Sequence, residues 1–456
     1  GIIPITGRLL YLWREDSLRP IRITVMPKAA FYTLGCRLNQ TESAIMAKGL
    51  EGVGYEIIKD PEEADLCVIN TCTVTNQSDV KCRKGIRAIQ KKNPGVQIAV
   101  VGCFSQISSQ QIIDIGGVHI VLGNEEKLKL YEYVTEASHA DAPIVRVSNL
   151  SREPFSISTI GQHLESTRAN LKVQDGCDFI CSFCIIPSAR GRSRPRIPGN
   201  IREEVRALAQ QGIKELVLTG VNIGTYRYHE TGFLDLMAIF EAESGIQRVR
   251  ISSIEPTTVG PEIFALMKDP ASKLLPYLHL PLQSGCDDIL KQMRRRYLLS
   301  EYKDFVLQAL NEVPGICIGS DIIVGFPGET DEQFEQTRSV LTDLPVHYFH
   351  VFPFAVRKGT MAEKLKPRIN GDIISRRVTV LRDLSDLKKD RFAGEFLGSD
   401  LRVLFEGRDK EGRWTGYSEN YVRVAVKSDK NLKNQIESVR LTRVESGVAS
   451  GELADS

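Results

Sequence analysis

No apolar run in the sequence approaches the ~20 residues that a helix needs to cross a bilayer, which excludes a helical membrane span. Ten cysteines in 456 residues are too few for a disulfide scaffold, and their clustering suits metal binding in a reducing compartment. A formal net charge of +2 gives no overall basic character, so any nucleic-acid partner has to be argued from local patches. Repeats and low-complexity tracts are absent too. The opening stretch GIIPITGRLLYLWREDSLRP lacks the apolar core and cleavage site of a signal peptide, because Arg8, Arg14, Glu15 and Asp16 interrupt it. The chain starts at Gly1 rather than Met, so residues 1–27 read as an extension or an expression remnant. These absences together point to a cytoplasmic protein.

What is present is ordinary globular composition, 42% hydrophobic and 25% charged, in a chain long enough for two or three cores. Over residues 28–125, compact runs such as AAFYTLG, ADLCVIN, VQIAVVG and VHIVLG alternate with amphipathic stretches, which predicts a doubly wound parallel α/β domain. Residues 126–165 read as a linker. The alternation resumes over 166–385 with NLKVQDG, ELVLTG, RVRISS, YLHLPL, ICIGSDIIVGF and YFHVFPF. Six βα units predict a partial or full parallel barrel. Residues 386–450 carry short alternating strands bounded by turn residues, a small all-β barrel, and 451–456 a frayed tail.

The segment GCDFICSFC spaces Cys177, Cys181 and Cys184 as C-x3-C-x2-C. Structural zinc wants four ligands, and the next candidates, Cys286 and His163, are remote in sequence. A redox C-x2-C pair would not need Cys177. An iron–sulfur cluster held by three thiolates fits best, with one iron left open to a small molecule. The loop also leaves the C-terminal end of the first barrel strand, where barrel active sites gather. A second set, Cys36, Cys72 and Cys103, falls just past the ends of three predicted parallel strands, the edge at which open α/β sheets bind ligands. Cys67, Cys82, Cys286 and Cys317 read as structural thiols.

C-x3-C-x2-C after a first barrel strand resembles the signature of the radical S-adenosylmethionine enzymes. The ordered set TLGCRLNQTES, NTCTVTNQSDVKCRKGIRAI, GCFSQ, QDGCDFICSFCIIPSARGRSRPR, LTGVNIGTY, SSIEP, HLPLQSG, DIIVGFPGET and FPFAVRKGT resembles the methylthiotransferase family from about residue 28 to 450. That resemblance implies an N-terminal cluster domain, a radical barrel and a C-terminal TRAM domain that binds RNA. It implies two 4Fe-4S clusters, an auxiliary one on Cys36, Cys72 and Cys103 and a radical-generating one on Cys177, Cys181 and Cys184. The second would bind S-adenosylmethionine, whose homolysis gives a 5′-deoxyadenosyl radical able to remove hydrogen from carbon 2 of an adenine. NTCTVTNQSD and TLGCRLNQ look most like the subfamily acting on N6-threonylcarbamoyladenosine at position 37, in the tRNA anticodon stem-loop. Isopentenyladenosine in tRNA and a ribosomal protein are the alternative substrates, and a flavodoxin or ferredoxin the implied electron donor. Cys82, and a basic MRRRY with Arg294 in place of a smaller residue, depart from the family pattern.

For the cofactor, Gly220 and Asn222 in LTGVNIG would let backbone approach its amino-acid end, against a plain βα turn. Glu255 in SSIEP would accept from a ribose hydroxyl or the amine, against an exposed salt bridge. Gln283 and Ser284 are uncharged candidates, Ser284 having a helix N-cap as its alternative. Ile323 and Gly325 would flank the adenine with backbone, against an ordinary buried strand, and Phe183 would pack on it or lid the cluster. For RNA, the alternating run Arg190, Arg192, Arg194 and Arg196 suits phosphate positioning at the active-site mouth. In the last domain Arg408, Lys410, Arg413, Arg423 and Lys427 surround Trp414, Tyr417 and Tyr421, an interleaving suited to RNA backbone and base stacking, against core packing of the aromatics. Two rivals without catalysis are an iron–sulfur scaffold, which needs no cofactor cleft, and a zinc-dependent RNA-binding module, which lacks fourth ligands.

Overall fold

The computed structural model describes residues 9–12, 21–24, 26–73, 76–158 and 167–454. The chain divides into two units. The described residues of 1–152, 157–162 and 188–191 form the first, and those of 153–156, 163–187 and 192–456 the second. No described helix is long and apolar enough to cross a membrane.

The first unit opens with a strand pair absent from the sequence reading, β1 (Leu9–Leu12) antiparallel to β2 (Ile21–Thr24). The rest of that 25-residue stretch lies outside the described residues. Its main sheet has six parallel strands: β3 (Lys28–Thr33), β4 (Glu56–Ile58), β5 (Leu66–Thr71), β6 (Gln97–Gly102), β7 (Ile120–Leu122) and β8 (Ile144–Arg146), in the order β4-β3-β5-β6-β7-β8. Strand β5, LCVINT, is buried along its whole length. That is why it reads as a continuous apolar run: helices cover both faces. Leu66 and Val68 pack on one side with Ala29, Met46 and Leu50, and Cys67 and Ile69 on the other with Ile86, Ile98 and Phe104. Strand order reverses between β3 and β5, so the ligand-binding crevice of this topology opens there.

The expected linker over 126–165 is corrected in its first half. Helix Leu130–Ala137 buries Leu130, Val134 and Ala137, and β8 adds a sixth strand with Ile144 in the core. A three-residue strand is too short to show periodicity. Residues 147–158 are irregular, and 159–166, including His163, lie outside the described residues.

The second unit holds six strands that follow one another in parallel: β9 (Arg168–Lys172), β10 (Glu215–Thr219), β11 (Arg248–Ile251), β12 (Tyr277–His279), β13 (Cys317–Val324) and β14 (Tyr348–Pro353). A bridge between Val249 and Leu274 joins the two three-stranded halves, giving an open six-stranded barrel. Helix Gly371–Gly394 runs across the boundary expected at residue 385. After it come β15 (Asp400–Arg408), β16 (Trp414–Ser418), β17 (Arg423–Val426), β18 (Ile436–Glu445) and β19 (Val448–Leu453), a closed five-stranded barrel. The expected tail is therefore strand as far as Leu453, and 455–456 lie outside the described residues.

The amino-terminal side of the large barrel is closed by charge. Glu215, with no exposure, lies 2.9 Å from Arg250 and 3.9 Å from both Arg168 and Arg248. Arg248 and Arg250 also donate to backbone carbonyls of the small barrel at Arg402, Tyr417, Ser418 and Glu419. Removing one partner of a buried ion pair costs about 3–5 kcal/mol, because the other charges stay buried. Glu215→Ala is accordingly expected to lower the urea midpoint with an unchanged slope. A midpoint within error of wild type would refute that role.

Candidate active site

In the first unit Cys36, Cys72 and Cys103 follow the carboxyl ends of β3, β5 and β6, three neighbours in the sheet. Cys36 and Cys72 flank the order-reversal crevice. Gly35 has φ of +99°, and a Cβ there would lie 2.6 Å from Cys72 Cβ and 2.9 Å from its Sγ, so only glycine lets the Cys36 turn come this close. Cys36 is exposed; Cys72 and Cys103 are buried.

Under these thiols runs a buried polar network. Asn39 donates to Leu34 O and Thr71 O at 2.7 and 2.9 Å, tying the ends of β3 and β5 together, and its Oδ1 lies 3.9 Å from Cys36 Sγ. The same Oδ1 accepts from Arg190 at 2.7 Å. Glu42 accepts from Arg190 twice at 2.9 Å and from Lys127 at 2.6 Å, while Lys127 also donates to Asn124. Asn124 Nδ2 lies 3.7 Å from Cys103 Sγ. Arg190 and Lys127 thus converge on Glu42 in a buried network that reaches Cys36 through Asn39 and Cys103 through Asn124. The expectation that Arg190 binds RNA is corrected: it is 1% exposed and committed to Glu42 and Asn39.

In the second unit the loop after β9 brings Cys177, Cys181 and Cys184 together, packed with Phe179 and Phe183. The loop is held by backbone: Ser182 N donates to Met293 O, Ala362 N to Ser182 O, and Cys184 N to Cys181 O. Phe179 N donates to Cys177 Sγ at 3.4 Å, and Arg295 Nη1 to Cys181 Sγ at 3.5 Å. Arg295 also pairs with Glu255 and donates to Pro281 O and Tyr297 Oη. Burial raises the Glu255 carboxyl above its usual range although Arg295 opposes it. The exposed salt bridge weighed for Glu255 is thus a nearly buried one. Arg295 escaped the sequence reading, which saw MRRRY only as a basic cluster.

The cofactor candidates divide. Gly220 has no room for a side chain, since a Cβ would lie 2.6 Å from Ile223 and 2.7 Å from Gln174 Oε1. Asn222 is buried, and its Nδ2 has no hydrogen-bond partner among the described residues, a donor left for a ligand. Gln174, also missed from sequence, accepts from Val221 N and Asn222 N and donates to Asp175 O, Gly176 O and Ser193 Oγ, lacing the cysteine loop to the LTGVNIG turn. Gln283 holds φ of +72°, rare for a residue with a side chain, between β12 and β13. Phe183 and Ile323 pack in one cluster with Phe326, so Phe183 spans the cysteines and the strand proposed beside adenine. Gly325 has φ of +78° and abuts Ile374. Ser284 is corrected: at 1% exposure its hydroxyl meets Thr337 Oγ1 and accepts from Cys286 N, a structural turn rather than a cofactor contact.

The RNA candidates divide as well. Arg194 is buried against the Phe155 ring at 5.6 Å, and Arg196 is buried with Glu204, so the alternating run is not an exposed face. Arg192 is exposed and points to Asp178 O, to which Arg296 donates at 3.1 Å. Arg192 and Arg296 are thus exposed basic side chains in contact with the cysteine loop, and Lys291 and Arg294 are exposed on the segment that carries Arg295 and Arg296. In the small barrel Trp414 is 7% exposed, in the core under Arg408 at 4.6 Å, and Tyr417 stacks on Tyr421 at 4.7 Å. Tyr421 in turn meets Tyr277 of the large barrel. Core packing therefore accounts for these aromatics. Arg413 is paired with Asp409 and Glu411, and Arg423 rests on Tyr417 Oη. Arg408, Lys410 and Lys427 remain exposed.

All ten cysteines are free thiols, and each triad supplies three sulfur donors without a fourth, which fits a cluster with one open iron. Burial pushes the Cys177 thiol up to about 11 and Cys184 up to about 12, and raises Cys181 despite Arg295 beside it. Near neutrality these thiols are protonated, so loading them releases protons. Anaerobic iron–sulfide loading of this loop should accelerate as pH rises from about 7 to about 9, followed by visible absorption in Cys72→Ala protein; a pH-independent rate would contradict the burial argument.

Residues 171–341 match the Radical SAM superfamily, and residues 28–123 match an uncharacterized protein family, UPF0004. Among curated proteins, the chain is 34% identical to the threonylcarbamoyladenosine tRNA methylthiotransferase MtaB of Bacillus subtilis, over 92% of this chain and 94% of that one. It is 36% identical to MtaB of Aquifex aeolicus over 83% and 92%. It is 31% identical to the tRNA-2-methylthio-N(6)-dimethylallyladenosine synthase of Vibrio cholerae over 93% and 92%. In fold it is similar to the radical S-adenosylmethionine methyltransferase TsrM of Kitasatospora setae, with TM-score 0.52 and 15% identity over 72% of each chain. Two three-cysteine strand-end sets and relatives matched over nearly the whole length lead to one conclusion: the chain belongs to the radical S-adenosylmethionine tRNA methylthiotransferases, of the MtaB type.

Proposed function

We propose that the protein inserts a methylthio group at carbon 2 of N6-threonylcarbamoyladenosine at position 37 of tRNA, using two 4Fe-4S clusters. The observation that carries this reading is the pair of cysteine triads, each at the carboxyl edge of its own parallel sheet unit, in a chain matched along its length by MtaB proteins. As a radical SAM enzyme it uses S-adenosylmethionine and a four-iron cluster. Bound at Cys177, Cys181 and Cys184, that pair supplies homolytic chemistry, which a carbon 2 hydrogen needs because it offers no acidic proton. Cys36, Cys72 and Cys103 would hold the second cluster, the site of the sulfur to be transferred.

Around the first site each residue has a physical task. Asn222 offers its unpaired amide, and Gln174 fixes the turn that presents it. Arg295 holds Glu255 in place beside Cys181, and Phe183 excludes water over the cysteines. Exposed Arg192, Arg294 and Arg296 would take phosphates of the anticodon stem-loop, with Lys410 and Lys427 further contacts on the small barrel. Reduction by a flavodoxin or ferredoxin in the cytoplasm completes the reading.

The relative from Vibrio cholerae keeps dimethylallyladenosine as a second substrate reading. Nucleoside mass spectrometry of tRNA from cells lacking and regaining the gene separates them. The expected result is loss and return of 2-methylthio-N6-threonylcarbamoyladenosine. Loss of the dimethylallyl product instead, or no change, overturns the proposal. In the purified protein Cys72→Ala should retain S-adenosylmethionine cleavage while losing sulfur insertion, and Cys181→Ala should lose both. Full methylthiolation by Cys72→Ala would sink the second-cluster assignment.

A further inference from the structure

A cluster of ligand-type side chains in the large barrel has no place in the cysteine chemistry. His279 on β12, Asp321 on β13 and His350 on β14 stand on three consecutive parallel strands, and because their neighbours Leu278, Leu280, Ile322, Phe349 and Val351 pack in the hydrophobic core, alternation turns these three to the opposite, lumen face. Asp321 and His350 are direct partners in the β13–β14 register, and His279 is two residues below Asp321, opposite Gly319. One donor atom from each of the three lies within 4.8 Å of the others. His279 is buried, Asp321 partly exposed and His350 exposed, so the group opens to solvent on one side.

The support around this group is what a ligand set needs. His279 Nε2 lies 3.1 Å from Asp321 Oδ1, while its Nδ1 lies 3.4 Å from Tyr348 Oη. Tyr348 Oη meets Tyr277 Oη at 2.6 Å. The far nitrogen of His279 is thus held by a hydroxyl pair, which turns Nε2 towards the carboxylate, as outer partners orient metal-ligating imidazoles. Gly319 makes this possible, because a Cβ there would lie 2.3 Å from the Tyr348 ring. The nearby charges Glu255 and Arg295 pair with one another.

A hydrogen-bonded His–Asp pair would explain His279 and Asp321 alone. It does not explain why the next strand presents a second imidazole at the matching register position. Two imidazoles and a carboxylate on one face, with further positions open, form a donor set that binds first-row divalent cations. Bond lengths near 2.1 Å require donors about 3–4 Å apart, which rotation of the exposed His350 ring supplies.

We propose that His279, Asp321 and His350 form a divalent transition-metal site in the lumen of the large barrel, separate from both cysteine triads. The site rests on the strand geometry and holds whichever modified adenosine is the substrate.

The test uses the full-length chain with its cysteines loaded anaerobically with iron and sulfide, so that thiolates do not compete. Mn2+, which thiolates hold weakly, is titrated in and the loss of its free-ion resonance followed. Pulsed electron paramagnetic resonance then reads nitrogen couplings. The expected result is one Mn2+ per chain with imidazole nitrogen coupling. Its affinity should fall at least about tenfold in His350→Ala and in Asp321→Asn, with iron content and circular dichroism unchanged. His350→Ala, at an exposed position, guards against misfolding of the buried variant. Binding without nitrogen coupling, or equally tight binding by both variants, would overturn the site and leave only surface carboxylates and a His–Asp hydrogen bond.

Discussion

Glu215 is the single carboxylate that three lumen arginines share, and the layout of the second unit follows from it. Arg168, Arg248 and Arg250 cannot be buried without a counter-charge, and none of their own strands supplies another. They also reach the small barrel: Arg168 through its Nε to Glu406, Arg248 and Arg250 through their outer nitrogens to backbone carbonyls. Polar groups fill the amino-terminal end of the large barrel, and the aromatic stack Tyr417–Tyr421–Tyr277 packs against them. With that end sealed by charge and rings, chemistry is confined to the carboxyl end, where the strand-end loops converge. The small barrel therefore plugs this end of the large one, with its Lys410 and Lys427 exposed.

The two cysteine triads stand in different electrostatic surroundings. A thiol withdrawn from water resists ionisation, and a cluster needs thiolates. At Cys181 the answer is a guanidinium 3.5 Å away, itself neutralised by Glu255 so that no net charge is buried. Beneath Cys36 and Cys103 lies instead a buried network in which Arg190 and Lys127 pair with Glu42, reaching the sulfurs through Asn39 and Asn124.

Much of the fold was legible in the sequence. The buried parallel strands show as unbroken Val and Ile runs, and the C-x3-C-x2-C spacing is local, so both survive without tertiary knowledge. Most of what failed depends on partners that only the folded chain brings close. Arg190 reads as one member of an exposed arginine run until Glu42, 148 residues away, takes it inward. Arg196 is drawn in by Glu204 and Arg194 by the Phe155 ring. Trp414, Tyr417 and Tyr421 carry the same basic–aromatic interleaving whether they stack on bases or fill a core, and packing decides. The strand Ile144–Arg146 is too short for any period, and Ser284 looks polar and available until Thr337 closes on it. Arg295 and Gln174 had no local signal, because each acts through loops that only the folded barrel brings together.

The corrected basic surface also says more than the run it replaces. Arg192 and Arg296 are 104 positions apart in the chain, yet both donate to the carbonyl of Asp178, the residue after the first cysteine of the loop. Arg296 lies in addition over the ring of Phe179 at 4.1 Å. A phosphate drawn to these guanidiniums would pull on the backbone that carries Cys177. On the proposed reading, substrate docking and the geometry of the cysteine loop would share a structural element, whereas arginines projecting independently into solvent would bind RNA without touching the chemistry. Because Asp178 Oδ1 also accepts from Ser193 N, and Ser193 Oγ from Gln174, the same element reaches the turn that presents Asn222. The cysteine loop, the LTGVNIG turn and the basic rim are therefore one connected polar assembly, held by Gln174 at its centre and by Asp178 at its edge.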